Sequence, residues 1–244
     1  QAAEKRGVSP QQHVDEYVVR FQEKWDALNI QYDQFIRTTQ DNHKSVVSFL
    51  LQKLWDKGLI YKDTYEGWYS VAEERFLTDK EYEEGEWRDV KRLSESNYWF
   101  KMSAYQEDLI NYIHDNPDFI QPAFRKNEVL GFLRQELGDL CISRPKARLN
   151  WGIELPFDDE YVTYVWFDAL TNYISAIGYP NQDETFKQWW PVDFHLIGKD
   201  ILTTHAVYWP TMLMAADLPL PKTIFAHGWW LMGDAKMSKS LGNV

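Results

Sequence analysis

Lys236 and Lys239 stand three residues apart in the run Lys236-Met237-Ser238-Lys239-Ser240-Leu241-Gly242-Asn243-Val244, directly after an apolar and aromatic stretch from Thr223 to Met232. Lysine carries a compact charge on a long stem, so two of them can close on a phosphate chain as negative charge builds on a leaving group. Ser238 and Ser240 add short, rotatable donors. Preorganised donors of this kind are worth about 3 kcal/mol each in a transition state, so a mobile pair can dominate a rate. Such a short run also suits a solvated loop, and the residues upstream have to decide between the two readings.

The elements that must position these groups are visible in the pattern. Tyr161 to Phe167, Phe194 to Ile197 and Thr223 to His227 read as buried strands, and helical patterns at Asp168 to Ile177 and Ile201 to Ala216 separate them. This alternation predicts parallel βαβ units, in which a ligand sits beyond the carboxyl ends of the strands. The positions there are Trp166, Asp168 and Ala169 after the first strand, Gly198, Lys199 and Asp200 after the second, and His227 and Gly228 after the third. Helical spacing puts Asp200 one turn before Thr204 and His205, with Trp209 one turn further, so a carboxylate, an imidazole and an indole line one groove. Trp166 and Tyr173 complete an aromatic wall suited to a long apolar or thioether side chain. Each residue also has a plainer use: Trp166 and Tyr173 as core aromatics, Asp200 as a helix cap, His205 as a satisfied core histidine, His227 as the end of a strand. Their coincidence at matched sheet positions favours a site.

Further upstream, Gln1 to Arg6 is helical with Gly7 as its cap, and Ser9-Pro10-Gln11-Gln12 opens a helix striped by Val14, Tyr17, Val18, Phe21, Trp25 and Leu28. A second helix is expected from Asn42 to Lys57, closed by Gly58, followed by short strands at Leu59 to Asp63 and Tyr65 to Val71. Thr78 to Glu95 is acidic and polar and reads as an exposed loop. A helix from Pro122 to Leu137 leads to a strand at Leu140 to Ser143.

Composition bounds the rest. The chain has 244 residues, 44% of them apolar, with 12 Trp, 14 Tyr and 13 Phe, enough for a sizeable core in one or two domains. No apolar run approaches twenty residues and no secretory pattern opens the chain, so neither a membrane span nor export is expected, and the cytoplasm is the default compartment. The single cysteine, Cys141, rules out an internal disulfide and a multi-cysteine zinc knuckle, and its setting in Leu140-Cys141-Ile142 is that of a buried strand residue. A net charge of −11 argues against indiscriminate binding to DNA or RNA, while leaving room for a structured RNA chosen by shape.

With these residues in view, the chain resembles the class I aminoacyl-tRNA synthetases, and within them the methionyl-tRNA synthetase family. Lys236 to Ser240 matches the family's nucleotide loop, and Phe194-His195-Leu196-Ile197-Gly198-Lys199-Asp200-Ile201 is similar to its second signature. Tyr164 to Tyr173 is similar to the methionine-pocket segment. Phe35-Ile36-Arg37-Thr38-Thr39 with His43, and Tyr65-Glu66-Gly67-Trp68-Tyr69, resemble the insertion between the halves of the nucleotide-binding fold.

The resemblance implies an α/β chain: the second half of a Rossmann-like parallel sheet with an inserted α+β connective domain. Residues 1–58 would be a helical part of the catalytic domain, 59–143 the insertion and 144–244 the second half of the catalytic fold. It implies that Trp166, Ala169, Leu170, Tyr173, Asp200, His205 and Trp209 surround methionine. Gly198, Asp200, His227, Gly228, Met237, Ser238, Lys239 and Ser240 would hold ATP, which enters with Mg2+. Lys236 and Lys239 would neutralise pyrophosphate as the methionine carboxylate attacks the α-phosphate, with no protein nucleophile. The implied partners are methionine, ATP and tRNA(Met), with no membrane and no DNA. The insertion is expected to be zinc-free, because no cysteine precedes Cys141.

The family's other ATP signature, a His-Leu-Gly-His or His-Ile-Gly-His, is not found; His195 in Phe194-His195-Leu196-Ile197-Gly198 sits at a strand end and is no substitute for it. The expectation is a longer source protein, truncated here at both ends, whose 244 residues alone do not adenylate methionine. Two other readings remain: a non-catalytic methionine- or tRNA-binding fragment, and a synthetase for leucine, isoleucine or valine, for which the insertion is short.

Overall fold

The computed structural model describes residues 2–70, 75–77, 82–83, 85, 87, 89–181, 184–237 and 242. Local chemistry marks the first two helices. Helix α1 (Ala2–Arg6) ends at Gly7, whose φ of 68° is the left-handed conformation that glycine adopts freely. Helix α2 (Pro10–Ala27) is capped by Ser9, whose hydroxyl accepts from the Gln12 amide, with Pro10 at its first position. Its expected apolar stripe is not buried: Tyr17, Phe21 and Leu28 are exposed. Helix α3 (Asp41–Asp56) is the spine of the molecule, burying His43, Val46, Val47, Leu50, Leu51 and Leu54 before it ends near Gly58.

The two strands expected after α3 are one. Strand β1 (Ile60–Ser70) runs through Gly67 and pairs antiparallel along its whole length with β3 (Val90–Phe100). The short β2 (Arg75–Leu77) flanks β1, and β5 (Leu140–Cys141) flanks β3, giving the order β2-β1-β3-β5. Residues 90–95, expected within a loop, are therefore strand. Lys91, Arg92 and Ser94 are exposed there; consecutive Lys91 and Arg92 point to opposite faces, so this end of the strand is solvated on both, and polar composition alone concealed the pairing. Helix α4 (Gln106–Asp115), which the sequence reading did not include, buries Leu109 and Ile113 at helical spacing. Helix α5 (Ala123–Phe132) stops short of the expected Leu137, with Leu133 as its cap.

The parallel sheet that the alternation predicted is present in a different composition. Strand β10 (Thr223–His227) lies between β9 (Phe194–Gly198) and the short β4 (Ile120–Gln121), parallel to both. The segment expected as its first strand, Tyr161 to Phe167, divides instead. Strand β8 (Asp158–Thr163) pairs antiparallel between β6 (Ser143–Pro145) and β7 (Glu154–Leu155), and helix α6 (Val165–Ser175) begins two residues later. The β-branched and aromatic residues at the junction favour a strand locally, but Phe167, Leu170 and Ile174 bury one helical face, and tertiary packing decides. Leu140 to Ser143 likewise splits between two sheets.

After the helix α7 (Glu184–Trp189) and strand β9, the expected helix from Ile201 to Ala216 winds in three ways: a 3-10 turn at Lys199–Ile201, a π-helical stretch at Thr204–Tyr208, and α8 (Trp209–Ala215). A hairpin of β11 (Leu231–Met232) and β12 (Ala235–Lys236) turns at Gly233, whose φ is 60°. Among the described residues no helix is long and apolar enough to cross a membrane.

The β1–β3 hairpin is clasped to β8 by charge and aromatic packing. Lys62 Nζ donates to Asp158 at 3.0 Å and lies 4.4 Å from the Tyr161 ring, while the Tyr98 hydroxyl donates to the same carboxylate at 2.7 Å. Trp55 of α3 stacks on Phe157 at 4.4 Å. Phe100, fully buried where β1, β3 and β5 meet, closes the core of this joint. Replacing Phe100 by Ala should destabilise the fold by about 3–5 kcal/mol, seen as a lower urea midpoint at unchanged m-value.

Candidate functional site

Helix α6 has two faces with different work. At about 100° per residue, Trp166, Ala169, Leu170 and Tyr173 form one stripe, and Asp168 and Ser175 lie about 180° away. On the first stripe Leu170 is buried and Trp166, Ala169 and Tyr173 are half-buried. The Tyr173 hydroxyl is 2.8 Å from His205 Nε2, and its ring lies 4.1 Å from His195 and 6.0 Å from Trp209. The structure thus brings Tyr173, His205 and Trp209 together as the sequence expected.

The hydrogen bonds fix the tautomers of this cluster. His205 Nδ1 faces the Ile201 carbonyl at 2.9 Å, which can only accept, so Nδ1 carries the proton and Nε2 accepts from Tyr173. Trp209 Nε1–H donates to His195 Nε2 at 3.2 Å, so His195 is protonated on Nδ1. Burial lowers the pKa of His205 and, with a smaller contribution from His205, pushes His195 down to about 3. Burial also raises the Tyr173 pKa. The wall is therefore neutral and aromatic. It accepts polarisable apolar matter and has little to offer a charged side chain.

The even helical spacing assumed for Asp200, Thr204, His205 and Trp209 does not hold. The Trp209 amide donates to the Thr204 carbonyl five residues back, so the π-helical stretch shifts the phase between His205 and Trp209. Asp200 is exposed on the 3-10 turn and folds over Gly198: a Cβ at Gly198 would meet its Oδ1 at 2.7 Å and His227 Cε1 at 3.9 Å. Gly198, Asp200 and His227 thus gather at the carboxyl ends of β9 and β10, where parallel sheets hold ligands. His227 Nδ1–H donates to the Gly228 carbonyl at 2.7 Å, leaving Nε2 as an acceptor.

The hairpin brings the first lysine to the same end. Lys236 pairs with Leu231, and the Met237 amide donates to the Trp230 carbonyl at 2.9 Å. The Lys236 ammonium lies 4.3 Å from the Trp229 ring, and that of Lys199 lies 3.7 Å from it. Ser238, Lys239 and Ser240 lie outside the described residues.

Sequence reasoning missed two histidines. His195, set aside as a strand-end residue, is buried in β9 and holds Trp209; the apolar neighbours Phe194 and Leu196, both exposed, gave no local signal for that burial. His43 entered only as part of a resembling segment, yet it is wholly buried against α6. A cavity of about 360 Å3 opens beside Tyr173 and His195, lined also by Ile177, Trp189, Trp190 and Val192. A second, of about 510 Å3, lies over the first turn of α6 between Thr39, Lys44, Trp151 and Asp168. Among the described residues no group of three His, Cys, Asp or Glu is placed to hold a metal ion.

Comparison with known proteins bears on the whole chain. The family described as tRNA synthetases class I (M) matches over residues 1–91 and 86–244. The methionine–tRNA ligase of Clostridium acetobutylicum is 50% identical across 99% of this chain and 38% of its own length. That of Clostridium perfringens is 51% identical with the same shares. Among solved structures, Mycobacterium tuberculosis methionyl-tRNA synthetase bound by methionyl-adenylate superposes with a TM-score of 0.90 at 43% identity, over 100% of this chain and 49% of that one. This chain thus spans about two fifths of the length of the curated relatives it matches.

The lowered pKa of His195 sets a pH dependence. Between about 3 and 6.5 the unfolded state binds a proton that the folded state refuses, so stability falls as pH drops below 6.5. His205 acts in the same direction. In urea titrations, going from about pH 7 to about pH 5.5 should cost the unaltered chain about 1 kcal/mol more than a His195→Gln variant, whose amide oxygen can still accept from Trp209. Equal losses would show that His195 is not held neutral.

Proposed function

Because this chain belongs to the class I (M) tRNA synthetases, we propose that it supplies part of a methionine–tRNA ligase, which activates methionine with ATP and passes the methionyl group to tRNA(Met). The observation that carries the reading is the neutral wall of Tyr173, His205 and Trp209 on one side of α6, beside the strand ends that bear Gly198, Asp200 and His227. A thioether chain needs polarisable contact and no charge partner, and this wall offers that.

In this reading Trp166, Ala169, Leu170, Tyr173, His205 and Trp209 enclose the methionine side chain. Asp200 stands on the exposed rim, where a carboxylate can meet the α-ammonium or a ribose hydroxyl. Gly198 leaves room for the Asp200 carboxylate beside the ribose, and His227 and Gly228 lie beside the nucleotide base, with the backbone at Met237 along its edge. Lys236 and Lys239 draw charge onto the departing pyrophosphate while the methionine carboxylate attacks the α-phosphate. The bond formed is carboxylate oxygen to phosphorus, and the bond broken is the α–β bridge. Ser238 and Ser240 donate to the same phosphates; their roles and that of Lys239 rest on the sequence motif. ATP arrives with its own Mg2+. Residues 59–143 are read as a connective insertion, zinc-free because no cysteine precedes Cys141, between catalytic segments 1–58 and 144–244. A cytoplasmic location accompanies this function.

Methionine-dependent ATP–pyrophosphate exchange by the full-length protein tests the assignment, and its absence would overturn it. Within that assay Lys236→Met should lower kcat by on the order of a hundredfold with little change in the methionine KM, because its contact strengthens as the leaving group departs. A matching rise in methionine KM would remove Lys236 from that role.

A further inference from the structure

We infer that His43 is a positioning residue for amino-acid recognition, a clamp from α3 that fixes the rotation of α6 and so the aim of Trp166 and Tyr173; this rests on the methionine pocket proposed above. The imidazole is wholly buried and held at both nitrogens. Nε2–H donates to Asp168 Oδ1 at 2.7 Å, and Nδ1 is 2.8 Å from Ser175 Oγ. Asp168 and Ser175 are seven residues apart, in the first and last turns of the same helix. One ring therefore grips α6 at two levels.

The grip falls on the face opposite the pocket. A helix packed through apolar contacts alone can roll, because the hydrophobic effect is nearly non-directional. Hydrogen bonds have narrow angular optima, and two of them from one rigid ring, to points two turns apart, leave α6 little freedom to roll or slide. A roll of the helix axis would carry Trp166 and Tyr173 sideways by a distance proportional to their radius from that axis. It would also break the bond from Tyr173 to His205. A gap of about 0.5–1 Å already forfeits about a quarter to a half of the van der Waals attraction to a ligand.

Nothing in the cluster acts on substrate directly. Ser175 is buried, with its hydroxyl also 3.2 Å from the Asn172 carbonyl, so the Ser-His-Asp order does not present a nucleophile. Asp168 alone reaches the cavity over the first turn of α6. The cluster is thus a support whose two arms leave from one residue and end on one helix.

The test is steady-state exchange by the full-length protein with His43→Leu, His43→Asn and Tyr173→Ala. Leucine fills the space without donors or acceptors; asparagine can restore one bond. His43→Leu should raise the methionine KM on the order of tenfold or more while the ATP KM stays within about twofold, and His43→Asn should recover most of the loss. Discrimination of methionine against norleucine, in which a methylene replaces the sulfur, should weaken in parallel. A purely architectural histidine would instead lower the active fraction, reducing kcat at constant KM. That result, or a methionine KM unmoved in His43→Leu while Tyr173→Ala raises it, would overturn the clamp. If Tyr173→Ala leaves the methionine KM unchanged, the pocket reading fails, and the inference with it. Should His43→Leu not fold, Ser175→Ala removes one arm only and should shift the same parameter in the same direction by a smaller factor.

Discussion

Polar-tipped rings cannot be buried singly. An unpartnered hydroxyl or ring nitrogen in an apolar interior costs on the order of 1–3 kcal/mol, so each buried tip obliges another to face it. Tyr173 answers His205, His205 answers the Ile201 carbonyl, and Trp209 answers His195. Three elements, α6, β9 and the helical run after it, must therefore meet in one register before any of these rings can leave water. Because burial disfavours their charged forms, the histidines stay uncharged, and the wall that results is defined by shape and polarisability rather than by charge.

The same demand reaches outward through α3. Its leucines form the spine of the core, His43 reaches across to α6, and Trp55 stacks on Phe157 beside the Lys62, Tyr98 and Asp158 clasp. The antiparallel hairpin and the site helix are thereby referred to one rod. Asp158 serves two donors at once, and Lys62 and Tyr98 share the aromatic surroundings that keep their bonds partly dry. Lys53 and Lys57, near the end of α3, pair with Asp217, tying the rod to the chain just beyond α8.

How much of this was legible in sequence varied with the kind of signal. Caps and periodicity carried α2 and α3, since Ser9-Pro10 and Gly58 act through their immediate neighbours. The strand ends at Gly198 and His227 were found because parallel alternation fixes where ligands sit. Pairings between distant segments were hidden: β3 looked like loop because its partner β1 supplies the reason for its extension, and β8 looked parallel because no local feature reveals its neighbours. The run Val165-Trp166-Phe167 favoured a strand until the packing of Phe167, Leu170 and Ile174 was available to outweigh it. His43 and His195 were passed over for the same reason: a histidine's meaning lies in what faces it.

The π-helical stretch at Thr204–Tyr208 has a consequence for what changes the chain can absorb. A π turn is an α-helix holding one residue too many, and here the surplus lies between His205 and Trp209. Winding the same residues as ordinary α-helix, with none lost, would rotate the rest of the run by about 100° relative to what precedes it, whereas losing one residue would restore α winding and keep the phase. In the first case Trp209 would swing away from His195, although the helix itself became more regular. The surplus residue is thus a spacer that lets the wide turn, rather than the rest of the helix, take up the extra length, and Trp209 keeps its aim only while the turn stays wide.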